Sequence, residues 1–351
     1  MRIGIVGLGR IGAMHARNLA QHPDVEQIIL IGRDSQRVEA ARTRVNDAVA
    51  PGALSELAGE HPGAATPAEV GTTTRVNDAL RSIDGLVIAT TTASHPGLVR
   101  QAARAGVPAL VEKPLALDVD ELAGLADELD AYKTPVMVAF HRRYDTGYQR
   151  LRDRLLAGDA GTIRLVRATG HDHHPLTLDY IPASGGIFRD LMIHDFDIIP
   201  WVTSQRVTQV QALGAVLDEP TYAEYGDADT AVVLLTFESG AFATVSGIRR
   251  NGAGHDVRLE VYGTENTFSA GLDARTPVTS TESGVASPPS TYDDFSTRFE
   301  PAFRNEADHF LRVIRGTAPN LTPPRAGLVA TRIAAAAEES RRTGQPVTIT
   351  D

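Results

Sequence analysis

Short β-branched runs alternate with helix-like stretches through the first 140 residues. Residues 2–6 read as a strand, 10–21 as a helix and 27–31 as a second strand. Residues 85–89 form another strand, leading through Ser94-His95-Pro96 into a helix that ends near Ala105. Residues 108–111 read as strand, 118–132 as helix and 136–140 as strand. This alternation predicts a parallel sheet covered by helices on both faces. The stretch 48–68, rich in Ala, Gly and Pro, has weak periodicity and is expected to be irregular.

After about residue 150 the pattern changes. The runs 163–170, 207–216, 230–240, 241–248 and 256–263 are β-rich, and several succeed one another without a helix. Glu238-Ser239-Gly240 is a hairpin turn by composition. A largely antiparallel sheet in a second domain follows. Residues 276–290 read as a loop, and 301–315 and 326–342 as helices. A chain of 351 residues exceeds one typical domain. We expect a dinucleotide-binding domain at 1–125 and a substrate-binding and oligomerisation domain at 126–351.

Composition narrows the chemistry. The chain has no cysteine, which removes disulfides, thiolate catalysis and cysteine-bound zinc, and fits a cytoplasmic setting. A net charge of −10 with no dense Lys/Arg run argues against nucleic acid as a partner. No stretch is apolar for long enough to cross a bilayer. The N-terminus MRIGIVGLGR runs directly into a strand and does not read as a signal peptide. The expected partner is a small molecule.

Gly7, Gly9 and Gly12 form G-x-G-x-x-G between the first strand and the first helix. That context predicts a dinucleotide pyrophosphate on the helix N-terminus, with Arg10 and Ile11 beside it. An NAD-specific site places an acid at the end of the second strand, but here that strand ends in Gly32-Arg33-Asp34. With Gly32 at the acidic position, Arg33 is free to pair with a 2′-phosphate, which predicts NADP in preference to NAD. The competing reading has Asp34 supply the acid after a one-residue slip. Thr90 and Thr91 lie at a strand's carboxyl end, as does His95 shortly after. They are expected at the cofactor too.

The segment GGIFRDLMIHDFDII (185–199) places three aspartates and a histidine in an apolar run. On one continuous helix, Asp190, His194 and Asp197 share a narrow wedge. His194 is the natural general acid/base, and Asp190 can orient it or hold a substrate hydroxyl. Asp195 falls outside the wedge and is expected to cap or bridge backbone groups. Asp197 is left between a supporting and a structural role.

The fingerprint GLGRIGAMHARNL, the stretch VPALVEKPLA with Glu112-Lys113-Pro114, and GGIFRDLMIHDFDII together resemble the glucose–fructose oxidoreductase / inositol dehydrogenase (Gfo/Idh/MocA) family. AFHRRYD (139–145) and DTAVVLLTFESGAFATV extend the resemblance over most of the chain. It implies an N-terminal Rossmann domain and a C-terminal open mixed sheet through which subunits pair as dimers or tetramers. It implies hydride transfer between nicotinamide and a secondary hydroxyl of a cyclitol or sugar. Its catalytic residues fall on Lys113, Asp190 and His194, with Glu112 and Lys113 also at the cofactor. By itself Lys113 reads as a surface lysine; the resemblance gives it a role on the carbinol oxygen. His255, in GAGHD, stands where the family often has tyrosine, and is taken as a substrate contact.

His171-Asp172-His173-His174 has the look of a metal site. On a strand, His171 and His173 share one face and could supply two ligands. Substrate contacts by His171 and His173 are the favoured reading, and no metal is assigned. Arg142 and Arg143 are left between phosphate or substrate contacts and a salt bridge. Two other classes remain: a metal-dependent hydrolase or lyase using the His/Asp clusters, and a dinucleotide sensor without turnover.

Overall fold

The computed structural model describes residues 1–49 and 67–350. Most of the stretch expected to be irregular, 50–66, lies outside the described residues; residues 48 and 49 end the helix Ser35–Val49. The chain forms two compact units. The first takes residues 1–141 and 303–328, the second 142–302 and the residues from Val329 onward. The expected boundary after 125 therefore falls inside the helix Val119–Tyr132, whose Leu122, Leu125, Ala126 and Leu129 are buried.

The first unit is a six-stranded parallel sheet: β1 (Arg2–Val6), β2 (Gln27–Ile31), β3 (Glu69–Thr73), β4 (Gly85–Ile88), β5 (Ala109–Val111) and β6 (Val136–Val138). Their order, β3-β2-β1-β4-β5-β6, is that of a Rossmann domain, with its switch point beside β1. Segment 303–328 completes this core. A Cβ on Gly85 of β4 would meet Ile314 Cδ1 at 2.5 Å, so the helix Glu300–Ile314 lies close on the strand. Val138 N–H donates to Thr322 O at 2.8 Å. The helix sits far along the chain from the sheet it covers, which is why a linear boundary missed it.

The second unit holds a seven-stranded mixed sheet of β7 (Ile163–His171), β8 (Val207–Ala215), β9 (Thr230–Phe237), β10 (Phe242–Ile248), β11 (Asp256–Gly263), β12 (Thr267–Ala270) and β13 (Val347–Thr348). The order is β12-β11-β7-β10-β9-β8-β13, antiparallel except for the pair β7·β10. Ala231, Val233, Leu235 and Phe237 face the core along β9, while Val232 and Leu234 point outward, the period-2 pattern of a one-sided sheet.

Gly170 of β7 and Gly247 of β10 are paired in register. A Cβ on Gly170 would stand 2.7 Å from Asp195 Oδ2, and one on Gly247 2.8 Å from Met192 Cγ and Sδ. The two glycines thus make a shallow seat in which the segment carrying Asp190 and His194 rests.

That segment is not one helix. It runs as Ile187–Asp190 and Ile193–Thr203. Ile187 O accepts from both Leu191 N–H (3.1 Å) and Met192 N–H (2.9 Å), a widened turn that resets the helical phase. The shared wedge of Asp190, His194 and Asp197 assumed an unbroken 100° step and does not survive this reset.

Candidate active site

In the first unit, residues expected at the cofactor gather at the carboxyl ends of β1, β4 and β5. Gly7 has φ +94°, and a Cβ there would meet the Ala89 carbonyl at 2.3 Å; a Cβ on Gly12 would strike Gly7 O at 1.8 Å. Among the described residues, no atom beyond its chain neighbours lies within 4 Å of the corresponding point on Gly9. Gly9 caps the helix Arg10–Ala20 without any side-chain bond, so no cap side chain occupies the first N–H groups. Arg10 is exposed and Ile11 half-buried beside it.

At the end of β2, Gly32 is followed by an exposed Arg33. Asp34 Oδ1 accepts from Gln36 N–H (2.9 Å) and Arg37 N–H (3.2 Å). Asp34 therefore caps the next helix.

Thr90 Oγ1 accepts from Ser94 Oγ at 2.6 Å, and Thr91 O accepts from the same hydroxyl at 2.8 Å. His95, expected at the cofactor, is instead buried. Its Nδ1 lies 2.9 Å from Pro114 O and its Nε2 3.0 Å from Thr90 O. It ties the Thr90 loop to the Glu112-Lys113-Pro114 turn, and both ring nitrogens are occupied in doing so.

Glu112 Oε1 lies 2.8 Å from Nε2 of buried His15 on the glycine-loop helix. Lys113 follows it, half-buried, with a cis peptide to Pro114. Phe303 stacks on His141 at 4.5 Å and meets His15 edge-on at 6.2 Å. One turn along, Glu306 is fully buried, and among the described residues neither carboxyl oxygen has a hydrogen-bond partner. Burial, with Glu112 nearby, raises its carboxyl well above the usual range.

In the second unit, the three aspartates and the histidine of the 185–199 segment separate into two kinds. Asp195 is buried against Arg142, with Nη1 to Oδ1 at 2.5 Å. Asp197 is buried in a two-pronged bond with Arg143, Nε to Oδ2 at 2.9 Å and Nη2 to Oδ1 at 2.6 Å. Burial pushes both carboxyls up, and the facing guanidiniums pull them back. Asp195 therefore bridges to an arginine side chain rather than to the expected backbone groups, and both members of Arg142-Arg143 are salt-bridge partners.

Asp190 and His194 keep some exposure. Asp190 Oδ2 accepts from Arg249 Nη1 at 2.7 Å, and its Oδ1 is 3.4 Å from the Tyr180 hydroxyl. Arg249 was not anticipated. It is buried, and burial alone would lower its pKa, but Asp190 and then Asp227 hold it above its ordinary value. Asp227 Oδ1 also accepts from Ile187 N–H at 2.8 Å, fixing the start of the Asp190 turn. The signal for Arg249 lay in the strand period: 243, 245 and 247 point inward along β10, and 249 continues the series.

His171 ends β7, its Nε2 2.9 Å from Ser246 Oγ. Burial lowers its pKa. His255 is buried, its Nδ1 3.4 Å from Asp172 Oδ1. His173 lies beyond the end of β7, so it shares no strand face with His171. Its Nδ1 is 3.2 Å from Asp293 Oδ1, and His174 Nε2 is 2.9 Å from the same oxygen. His173 is thus committed to Asp293 and not to the substrate contact expected of it.

A model of the oxidoreductase family with an NAD-binding Rossmann fold matches residues 1–140, and one of the GFO/IDH/MocA C-terminal domain matches 148–269. The inositol 2-dehydrogenase of Rhizobium meliloti is 32% identical over 97% of this chain and 96% of its own. The chain belongs to the Gfo/Idh/MocA family. Among other Gfo/Idh/MocA proteins, the scyllo-inositol 2-dehydrogenase (NAD(+)) of Bacillus subtilis is 31% identical over 99% of this chain and 96% of its own. The crystal structure of a myo-inositol dehydrogenase from Corynebacterium glutamicum superposes with a TM-score of 0.84 at 28% identity, covering 100% of this chain and 99% of that one. As a Gfo/Idh/MocA member the chain is an NAD(P)-dependent oxidoreductase acting on CH–OH groups. Among the described residues, no helix is long and apolar enough to cross a membrane.

Proposed function

We propose that this oxidoreductase interconverts a secondary hydroxyl of an inositol-like cyclitol and the corresponding ketone, with Lys113, Asp190 and His194 as its catalytic residues. One observation carries the assignment. Of the three aspartates and one histidine on the 185–199 segment, Asp195 and Asp197 are consumed by buried arginines, while Asp190 and His194 retain exposure. The cyclitol substrate class draws on the inositol dehydrogenases among the relatives.

A nicotinamide cofactor held at the Gly7–Gly12 turn would supply the hydride chemistry at the carbinol carbon. His194 takes the hydroxyl proton as oxidation proceeds and returns it in reduction. The Lys113 ammonium binds the carbinol oxygen and stabilises its developing negative charge. Asp190, held by Arg249, presents a fixed acceptor to a ring hydroxyl or to the imidazole. His171 and His255 border this second-unit site as further substrate contacts.

NADP is the preferred cofactor in this reading, because Gly32 puts no carboxylate at the ribose position and Asp34 is occupied in capping. Gly7, Gly9, Arg10, Ile11, Gly12, Arg33, Thr90, Thr91 and Glu112 make up the cofactor site, with His95 setting its loop. A second copy of the chain covers the outer sheet face, where Leu213 and Val232 are cross-strand partners and Leu234 and Phe242 are also exposed.

A panel of cyclitols and sugars run with both cofactors tests the whole reading. Turnover is expected on an inositol. Lys113→Ala and His194→Ala should each lower kcat by about 10²–10⁴-fold while cofactor affinity stays nearly intact. Wild-type turnover in either variant removes that residue from the mechanism.

A further inference from the structure

His173, His174 and Asp293 bring two imidazole nitrogens and a carboxylate oxygen within 4.8 Å of one another, outside the groups assigned to hydride transfer. From this geometry we infer a binding site for a borderline divalent transition metal, of which zinc is the representative, formed by His173 Nδ1, His174 Nε2 and Asp293 Oδ1.

Two of the three ligand separations are already close to those around a coordinated ion, and the third is within 4.8 Å. Metal–ligand arms of about 2.0–2.1 Å in tetrahedral geometry put neighbouring ligand atoms about 3.3 Å apart. Here Oδ1 stands 3.2 Å from His173 Nδ1 and 2.9 Å from His174 Nε2. Entry of the ion opens these separations by a few tenths of an ångström. A neutral imidazole can present either ring nitrogen to a metal, so both rings can act as ligands through the nitrogens that now face Asp293. The two rings lie 4.1 Å apart between centroids.

Both sides of the site are anchored in backbone. Asp172, beside His173, donates its N–H to Ile248 O (2.9 Å) and accepts from Asn251 N–H (2.6 Å). Tyr292, beside Asp293, accepts from His255 N–H (2.8 Å) in an isolated bridge. Asp294, on the other side, caps the helix Phe295–Arg298 through Thr297 N–H. The ligands are therefore presented from fixed strands of chain, which lowers the ordering cost of binding. Two nitrogens and one oxygen favour zinc, nickel or copper over magnesium or calcium, which require oxygen shells. His174 and Asp293 are exposed, so water completes the coordination and affinity belongs in the micromolar range rather than that of an enclosed structural zinc. The bound ion would clamp the segment following β7 to the segment at 292–294.

The test is calorimetric titration of the full chain with zinc chloride, with wild type, His174→Ala and Asp293→Asn compared. Asp293→Asn keeps an acceptor for the imidazoles and so preserves the metal-free arrangement. One zinc per chain is expected in wild type, with affinity at least about tenfold weaker in each variant. Co2+ in place of zinc should give visible ligand-field bands that both variants lose. Equal zinc affinity in all three proteins, or Co2+ spectra unchanged by the substitutions, places any bound metal elsewhere and overturns the assignment.

Discussion

Arg249 Nη1 donates to Asp190 Oδ2 at 2.7 Å, from a side chain that is 1% exposed. A buried cation thereby holds one half-buried carboxylate in place. Arg249→Met should leave Asp190 without that charge, and its carboxyl should take up a proton at higher pH. The acidic limb of the kcat–pH profile is expected to move to higher pH, with kcat at neutral pH down about 10–100-fold and KM for cofactor unchanged. Arg249→Lys should recover part of the loss. A variant with lower Tm but an unmoved pH profile would reduce Arg249 to a packing role.

Asp197 and Arg143 form the opposite case, a pair closed off from solvent. Removing one partner leaves a buried charge alone, a loss of about 3–5 kcal/mol. Asp197→Ala should lower the denaturation midpoint strongly, with kcat per folded molecule changed far less than in Asp190→Ala. Denaturant titration beside active-site counting separates the two effects.

Glu306 supplies a pH test. Its folded-state pKa is raised by burial, so the folded form holds a proton that the unfolded form releases. Stability is then fully present below the unfolded value of about 4.3 and falls as pH rises toward the folded value. Glu306→Gln keeps the shape and removes the titration. Its Tm should exceed that of wild type at pH 8 and show no such gain at pH 4. Parallel Tm curves across that range would mean Glu306 does not titrate as described.

Arg33 is the discriminating residue for the adenosine end of the cofactor. Arg33→Ala should weaken NADP about tenfold and leave NAD nearly unchanged, read by fluorescence titration. Tighter NAD than NADP binding in the wild-type protein would reverse the preference.

Much of this was legible in the sequence because it is local. The glycine turn, the alternation of β1 to β6 and the period-2 strands of the second sheet depend on neighbours a few residues away. What was not legible depends on distant partners. Asp293 meets His174 across 119 residues, and no periodicity connects them. The break at Leu191–Met192, where two N–H groups share Ile187 O, has no counterpart in the residue pattern, and it spoiled a helical wheel drawn through 187–199. Arg142 and Arg143 stay open between a phosphate or substrate contact and a salt bridge until Asp195 and Asp197 are seen to face them. Arg249 is the exception, because an arginine on an inward strand position already demands a partner.

The seat formed by Gly170 and Gly247 ties two parts of the molecule that could otherwise diverge separately. Any larger side chain at either position lifts Met192 or Asp195 off the sheet, and Asp190 and His194 move with them. The placement of Asp190 and His194 is therefore inherited from the sheet. Substrate preference in descendants of this chain must drift through the segments that follow β7 and β10, where a residue can change without tilting the platform beneath it.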